Sequence, residues 1–201
     1  MNHSANELEQ GLTEQIEGEV RFDPYSKVLY STDASLYQIE PIGVVIPKHK
    51  ADVIKTIQIA YERNVPILPR GGGTSLAGQT VGQAIVIDMS KYMDQILEVN
   101  AEEQWARVQP GVVLDELNHY LKPYNLMFAP DVATSSRANI GGMIGNNSAG
   151  AHSIIYGKTI DHVISLELLL SNGEEITAEP LSLDELATKK RGNSRESHIY
   201  R

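Results

Sequence analysis

Three consecutive glycines follow a short apolar run in the stretch PILPRGGGTSLAGQT, from Pro66 to Thr80. Glycine gives up more backbone freedom on folding than any other residue, so a triplet answers a need for positive φ or for close approach to bare backbone. Successive backbone N–H groups in such a turn form a concave nest that holds phosphate oxygens without much side-chain charge. A second loop of related composition, rich in glycine, serine and asparagine, runs from Pro130 to Gly157 and contains NIGGMIGNN. The generic phosphate motifs fit poorly. No Gly-Lys-Ser/Thr closes a P-loop, and Leu76 stands where a Rossmann fingerprint needs its third glycine. Taken singly, the triplet could equally serve tight turns. For Arg70 two roles stay open, phosphate ligand or solvated loop charge.

The remaining reactive side chains are few. There is no cysteine, which excludes disulfides, thiolate metal sites and cysteine nucleophiles within the chain and fits a reducing compartment. His152 could act as a base, or it could be a loop residue bonded to backbone. His3, His49, His119, His162 and His198 form no pair with metal-ligand spacing, so no metal is expected. Asp115 and Glu116 read as solvent-facing charges. Lys and Arg total 17 against 26 Asp and Glu, a formal charge of -9, which argues against nucleic acid or an anionic membrane as partner. The polar N-terminus lacks a signal-peptide pattern and no apolar run is long enough to cross a membrane. A cytoplasmic protein is expected, at most peripheral on the inner face of the membrane.

The elements that must carry these loops follow from periodicity. Leu8, Leu12 and Ile16 at spacing four predict an amphipathic helix within Ala5 to Glu17, and Pro24 to Tyr37 reads as a helical turn and a loop. GVVIP from Gly43, a helix over Lys50 to Val65, and the strand PILP make a βαβ unit, with AIVIDMS from Ala84 as a third strand. ILEVN from Ile96 and QWARVQPG from Gln104 predict a hairpin, followed by a helix over Val113 to Leu121 that Pro123 stops. Ala129 to Val163 shows little periodicity and reads as a long functional loop. Two strands around SNGE, with the hairpin signal Asn172-Gly173, close the pattern before a polar, basic tail.

Four segments, PILPRGGGTSLAGQTVG, VQPGVVLDELNHYL, PDVATSSRANIGGMIGNNSAG and YGKTIDHVISLELLLSNG, resemble in order and spacing the flavin-binding domain of the vanillyl-alcohol oxidase and p-cresol methylhydroxylase superfamily. The similarity is greatest to its group of glycolate oxidase flavoproteins and FAD-linked D-lactate dehydrogenases. It implies an α+β fold of two α/β subdomains with FAD between them: a small parallel βαβ-type subdomain, then a mixed, mainly antiparallel sheet with helices. The implied division is an N-terminal helical arm at 1–36, an FAD-binding domain at 37–180 with subdomains at about 41–93 and 94–180, and a linker or start of a C-terminal cap domain at 181–201. It assigns Arg70, Gly71, Gly72, Gly73, Thr74 and Ser75, with Gln79 nearby, to the pyrophosphate. Pro130, Asp131, Thr134, Ile140, Gly141, Gly142, Asn147, Ser148 and Gly150 fall on the second cofactor loop, and Tyr156, Gly157 and Val163 pass near the flavin and adenine ends.

Members that link the flavin covalently through the first loop carry histidine where this chain has Thr74, so non-covalent FAD is the expectation. The triplet is then expected to press bare backbone on the pyrophosphate, so that Gly72→Val would cost flavin affinity far more than stability. The resemblance implies a dehydrogenase oxidising a 2-hydroxy acid such as D-lactate or glycolate to the 2-oxo acid. The substrate clamp and base would lie in a further C-terminal domain, and an iron-sulfur domain or subunit would accept the electrons. No catalytic residue is assigned within these residues. A reductase or oxidase of the same superfamily and a flavin-binding module without turnover remain as alternatives.

Overall fold

The computed structural model describes residues 2–201, with side chains from Ala5 onward; the side chain of His3 lies outside the described residues. The chain divides into two units, Met1–His162 and Val163–Arg201. In the first, β1 (Glu19–Arg21), β2 (Gly43–Ile46), β4 (Ile85–Asp88) and β3 (Ile67–Arg70) form a four-stranded sheet in that order. β2 and β3 each pair in parallel with β4, which lies between them, and β1 joins β2 antiparallel. Every residue of β2 and β4 is buried, as expected of central parallel strands written as unbroken aliphatic runs.

Helix α3 (Lys50–Glu62) turns Val53, Ile57 and Ala60 into the core, and α1 (Asn2–Thr13) buries Leu8 and Leu12. Asp52 is buried at the start of α3, where its carboxylate accepts the backbone N–H groups of Glu17 and Lys48 at 2.9 Å each. α2 (Pro24–Tyr30) opens with Asp23 accepting from Ser26 N and proline in the first turn. Strand β1 has no apolar alternation to announce it. Its edge position is held by Glu19, which accepts from Lys91 Nζ at 2.5 Å and Tyr92 Oη at 2.6 Å and pairs with Arg21.

The Lys91 and Tyr92 bonds, with Arg21 adding to them, hold the Glu19 carboxyl down at about 2. A carboxyl whose folded pKa is depressed contributes stability above its unfolded value and loses it as pH falls towards the folded one. Acid unfolding of Glu19→Gln should therefore show less loss between about pH 4 and pH 2 than the wild type. Because the cluster faces solvent, the difference should be about 1 kcal/mol. Matching wild-type and variant curves over that interval would rule the cluster out as a stabilising element.

The rest of the first unit begins with the antiparallel pair β5 (Ile96–Asn100) and β6 (Trp105–Val108). Helix α4 (Leu114–Leu121) follows, burying Leu114, Leu117 and Leu121, while Asp115 and Glu116 face solvent. A 3-10 turn through Lys122–Tyr124 and a left-handed Asn125 end it. Part of the segment expected as loop is helical: α5 (Ile140–Asn146), α6 (Ser153–Tyr156) and a 3-10 turn at Thr159–His162. Glycines 141, 142 and 145 mask α5 in the sequence, but Ile140 and Met143, three apart, pack into the cluster of Val112, Leu114 and Leu117, and this burial outweighs propensity.

The second unit is the hairpin β7 (Leu166–Leu169) and β8 (Glu175–Ala178), with helices α7 (Leu183–Arg191) and α8 (Arg195–Tyr200). The strands expected in one mixed sheet thus form separate two-stranded ladders. Within Asn172-Gly173 only Gly173 has positive φ. The tail holds helices because Ser182 and Glu185 form a reciprocal capping box. No helix among the described residues is long and apolar enough to cross a membrane.

Candidate functional site

The first loop leaves the carboxyl end of β3, the edge of a parallel sheet where ligands are received in α/β folds. From Gly71 to Ser75 the backbone N–H groups donate to no protein acceptor among the described residues. Further on, Ser75 Oγ accepts from Ala77 N and Gln79 N at 3.3 Å each, folding the loop back on itself. A run of unspent amides in a partly exposed turn is the donor set that an anionic group requires.

Two of the glycines, however, face protein. A Cβ on Gly72 would lie 2.4 Å from the carbonyl oxygen of Arg137, and one on Gly71 would lie 2.6 Å from Asn139 Oδ1. This corrects the expectation for Gly72→Val: the close approach at that position is made by the second loop, so the change costs stability first. Gly73 has φ +65°, where a side chain is strained, and its Cβ would meet the Arg70 guanidinium at 2.6 Å.

The two loops therefore touch. Besides the Gly71 and Gly72 contacts, Gln79 Nε2 donates to Asn146 Oδ1 at 3.0 Å. Asn139 is the residue that sequence reasoning missed at this seam. It is 4% exposed, its Nδ2 donates to Gly111 O at 2.5 Å, and its Oδ1 is a buried side-chain atom left without a partner. An orphaned acceptor at the meeting point of both loops is unusual in a folded protein.

Other predicted residues divide by role. Ile140 is core, and the amides of Ile140 and Gly141 are spent on Val112 O and Pro110 O at 2.8 and 2.9 Å, so neither supplies a free donor. Gly142 and the unpredicted Gly145 lie on the exposed face of α5, with nothing within 4 Å of a Cβ built on either. Pro130 is buried, and Thr134 O caps the turn to Arg137 and Ala138. Asn147 is left-handed and its Oδ1 accepts from Ile160 N at 3.0 Å, while Ser148 O accepts from Thr159 N and Oγ1 at 3.1 and 2.8 Å. Both tie the end of α5 to the following turn. Tyr156 O lies 2.7 Å from His162 Nε2, Gly157 packs on Asp161, and Val163 opens the second unit.

His152 bonds a side chain rather than backbone. Its Nδ1 lies 2.5 Å from Asp131 Oδ2, and its backbone N donates to Asp131 Oδ1 at 3.0 Å. Partial burial alone would raise the Asp131 pKa, but the His152 backbone and ring overcome it and hold the carboxyl below its ordinary value. The pair clips the start of the second loop to its middle, with Gly150 pressed against the Asp131 backbone between them.

Arg70 is partly buried, and its guanidinium is turned onto backbone carbonyls. Its Nη1 donates to Tyr30 O at 3.2 Å and Thr80 O at 3.1 Å, its Nη2 donates to Thr32 O at 2.8 Å, and its guanidinium lies 5.2 Å from the Tyr30 ring centre. Tyr30 Oη donates in turn to Asp88 Oδ2 at 2.5 Å; burial, and then the Asp88 carboxylate, push the phenol well above its ordinary pKa, so it stays a donor. Among the described residues no group of His, Asp and Glu is placed to hold a metal ion.

Comparison with known proteins gives these loops their context. The profile of the FAD binding domain family matches residues 41–179. The chain is 41% identical over 198 residues to D-2-hydroxyglutarate dehydrogenase of Escherichia coli (strain K12), covering 96% of this chain and 19% of that protein. It is 37% identical over 166 residues to glycolate oxidase subunit GlcD of Bacillus subtilis (strain 168), covering 81% of this chain and 35% of that protein. Among solved structures, alkyldihydroxyacetonephosphate synthase superposes with a TM-score of 0.78 at 22% identity, over 97% of this chain and 37% of that one. p-Cresol methylhydroxylase with substrate bound superposes with a TM-score of 0.74 at 20% identity, over 88% and 36%. The chain thus spans a minor part of each of these proteins, and the match over residues 41–179 shows that it belongs to the FAD binding domain family.

Proposed function

We propose that the chain is the FAD-holding portion of a dehydrogenase that oxidises a 2-hydroxy acid to the 2-oxo acid. The observation that carries the reading is the unspent run of amides from Gly71 to Ser75, set against the second loop, in a chain whose relatives are named for 2-hydroxy acid oxidation. FAD, when bound, supplies the redox chemistry, accepting a hydride equivalent from the carbon that bears the hydroxyl. The residues of this chain bind and orient it. The amides of Gly71, Gly72, Gly73, Thr74 and Ser75 take the pyrophosphate, with Gln79 bracing the loop against Asn146. Gly142 and Gly145 offer bare helix surface, and Pro130, Asp131, Thr134, Asn147, Ser148 and Gly150 hold the second loop in the shape that lines the cofactor. The resemblance gives Tyr156, Gly157 and Val163 to the flavin and adenine ends.

In this reading FAD is non-covalent, because Thr74 occupies the position where a histidine would form the link and the chain has no cysteine. Capture of the substrate carboxylate and of the hydroxyl proton belongs to parts outside the 201 residues. So does transfer of electrons to an iron-sulfur domain or subunit, which rests on the resemblance alone. The domain limits 1–36, 37–180 and 181–201 and a cytoplasmic location belong to the same proposal. Its test is anaerobic mixing of the full protein containing this chain with D-2-hydroxyglutarate, D-lactate and glycolate. Bleaching of the long-wavelength flavin band by one of these, with the matching 2-oxo acid formed, is expected. A flavin left oxidised by every 2-hydroxy acid but bleached by NADPH would replace the dehydrogenase with a reductase.

A further inference from the structure

The residues just before β2 lie outside the 41–179 match, yet they are laced to the glycine loop from several directions. Ala34 N donates to Gly73 O at 3.0 Å. Asp33 Oδ2 accepts from Thr80 Oγ1 at 3.0 Å and Thr80 N at 3.4 Å, and its Oδ1 accepts from Ser35 N at 2.8 Å. The segment is closed into a strap by Ile39 N donating to Ser31 O at 2.9 Å and by the bridge between Thr32 and Gln38. Tyr37 lies against Gly78, whose φ is +77° and whose Cβ would come 2.6 Å from the ring. Arg70 stands at the centre: one guanidinium reaches carbonyls of the strap at Tyr30 and Thr32 and the carbonyl of Thr80 at the far end of the loop.

Resting on the reading that this loop holds FAD, we propose that Arg70 is a positioning residue and not a phosphate ligand. By clamping three carbonyls it fixes the strap from Tyr30 to Tyr37 across the glycine loop, and the strap is thereby part of the cofactor site. The bonds already made set its role. Both N–H groups of Nη1 and one of Nη2 serve carbonyls and the guanidinium lies over the Tyr30 ring, so the clamp holds only while the fork stays where it is; the N–H of Nε and the second of Nη2 are left over. Turning it to a phosphate would leave Tyr30 O, Thr32 O and Thr80 O without their donor and release the strap. Gly73 is shaped for this arrangement, since any side chain there would strike the guanidinium. The charge stays near the loop, but the geometry is what the loop depends on: it keeps the amides of Gly71 to Ser75 converged before any ligand arrives, which lowers the ordering cost of binding.

The test uses the 201-residue protein freed of flavin, with Arg70→Lys and Arg70→Gln, and folding checked by circular dichroism. Two quantities are measured: FAD affinity at low and high salt, and amide hydrogen exchange without ligand. Lysine keeps the charge but cannot reproduce the fork. A positioning role predicts that both variants lose about tenfold or more in FAD affinity, with the wild-type salt dependence retained. It also predicts faster exchange at Ala34, Ile39 and Thr80 in the flavin-free protein. Near-normal affinity in Arg70→Lys, with loss and a flattened salt dependence in Arg70→Gln, would overturn it in favour of direct phosphate contact; so would unchanged exchange along the strap. Should the Arg70 variants fail to fold, Asp33→Asn loosens the same seam from the other side and is held to the same two outcomes. A wild-type protein that takes up no FAD would refute the cofactor reading instead, and the exchange comparison would still decide whether Arg70 holds the strap.

Discussion

Replacing Gly142 and Gly145 together by alanine is expected to stabilise the flavin-free protein by about 1–2 kcal/mol while weakening FAD binding by about tenfold or more. Both glycines lie on the exposed face of α5 and neither has anything within 4 Å of where a Cβ would stand. Nothing inside the protein calls for glycine at either place, and each costs helix stability of about 1 kcal/mol relative to alanine. In the proposed function FAD lies against that face and two added methyl groups would meet it, so stability and affinity should move in opposite directions. Thermal unfolding of the flavin-free forms and FAD titration of the folded ones read the two effects separately. A stabilised double variant with undiminished affinity would remove α5 from the cofactor surface.

The opposite behaviour is expected of Gly150 and Gly72. A Cβ on Gly150 would stand 1.3 Å from the carbonyl oxygen of Asp131 and 2.4 Å from its Oδ1, and on Gly72 it would stand 2.4 Å from the carbonyl of Arg137. These neighbours are largely backbone, which no change of rotamer moves away. Gly150→Ala should therefore cost about 3 kcal/mol or more, and Gly72→Ala about 1–3 kcal/mol, each as a lowered urea midpoint with little change in slope. In Gly150→Ala the displaced Asp131 should also lose the His152 ring, freeing the middle of the second loop. A Gly150→Ala protein within about 1 kcal/mol of wild type would contradict the packing described for this loop.

These two glycine pairs show where sequence and structure part company. That Gly71, Gly72 and Gly141 serve close approach could be read from composition and placement. What approaches Gly71 and Gly72 could not, because Arg137 and Asn139 come from a segment more than sixty residues further along the chain and the contact exists only once the loops meet. Strands β2 and β4 were legible because burial on both faces leaves unbroken aliphatic runs, and helix α3 because burial on one face leaves a helical period. Strand β1 was not, since Glu19, Val20 and Arg21 are placed by an ion-pair cluster and an edge pairing rather than by alternation. Helix α5 was hidden by the glycines that make it interesting. The S-x-x-E of Ser182 and Glu185 does announce a helix start in the tail, a signal masked by the polar composition around it. Arg70 shows the limit most clearly: an arginine before a glycine loop reads as a ligand or as a solvated charge, and only the positions of three distant carbonyls show the guanidinium turned onto them.

In the proposed function this chain holds FAD, without a covalent bond, on the amides that follow β3. Titrating FAD into the flavin-free protein while following flavin fluorescence, then precipitating the complex with acid, tests it most directly. Saturable binding near one FAD per chain is expected, with all of the flavin in the supernatant. No saturable binding by a folded protein, or yellow colour retained in the precipitate, would contradict it.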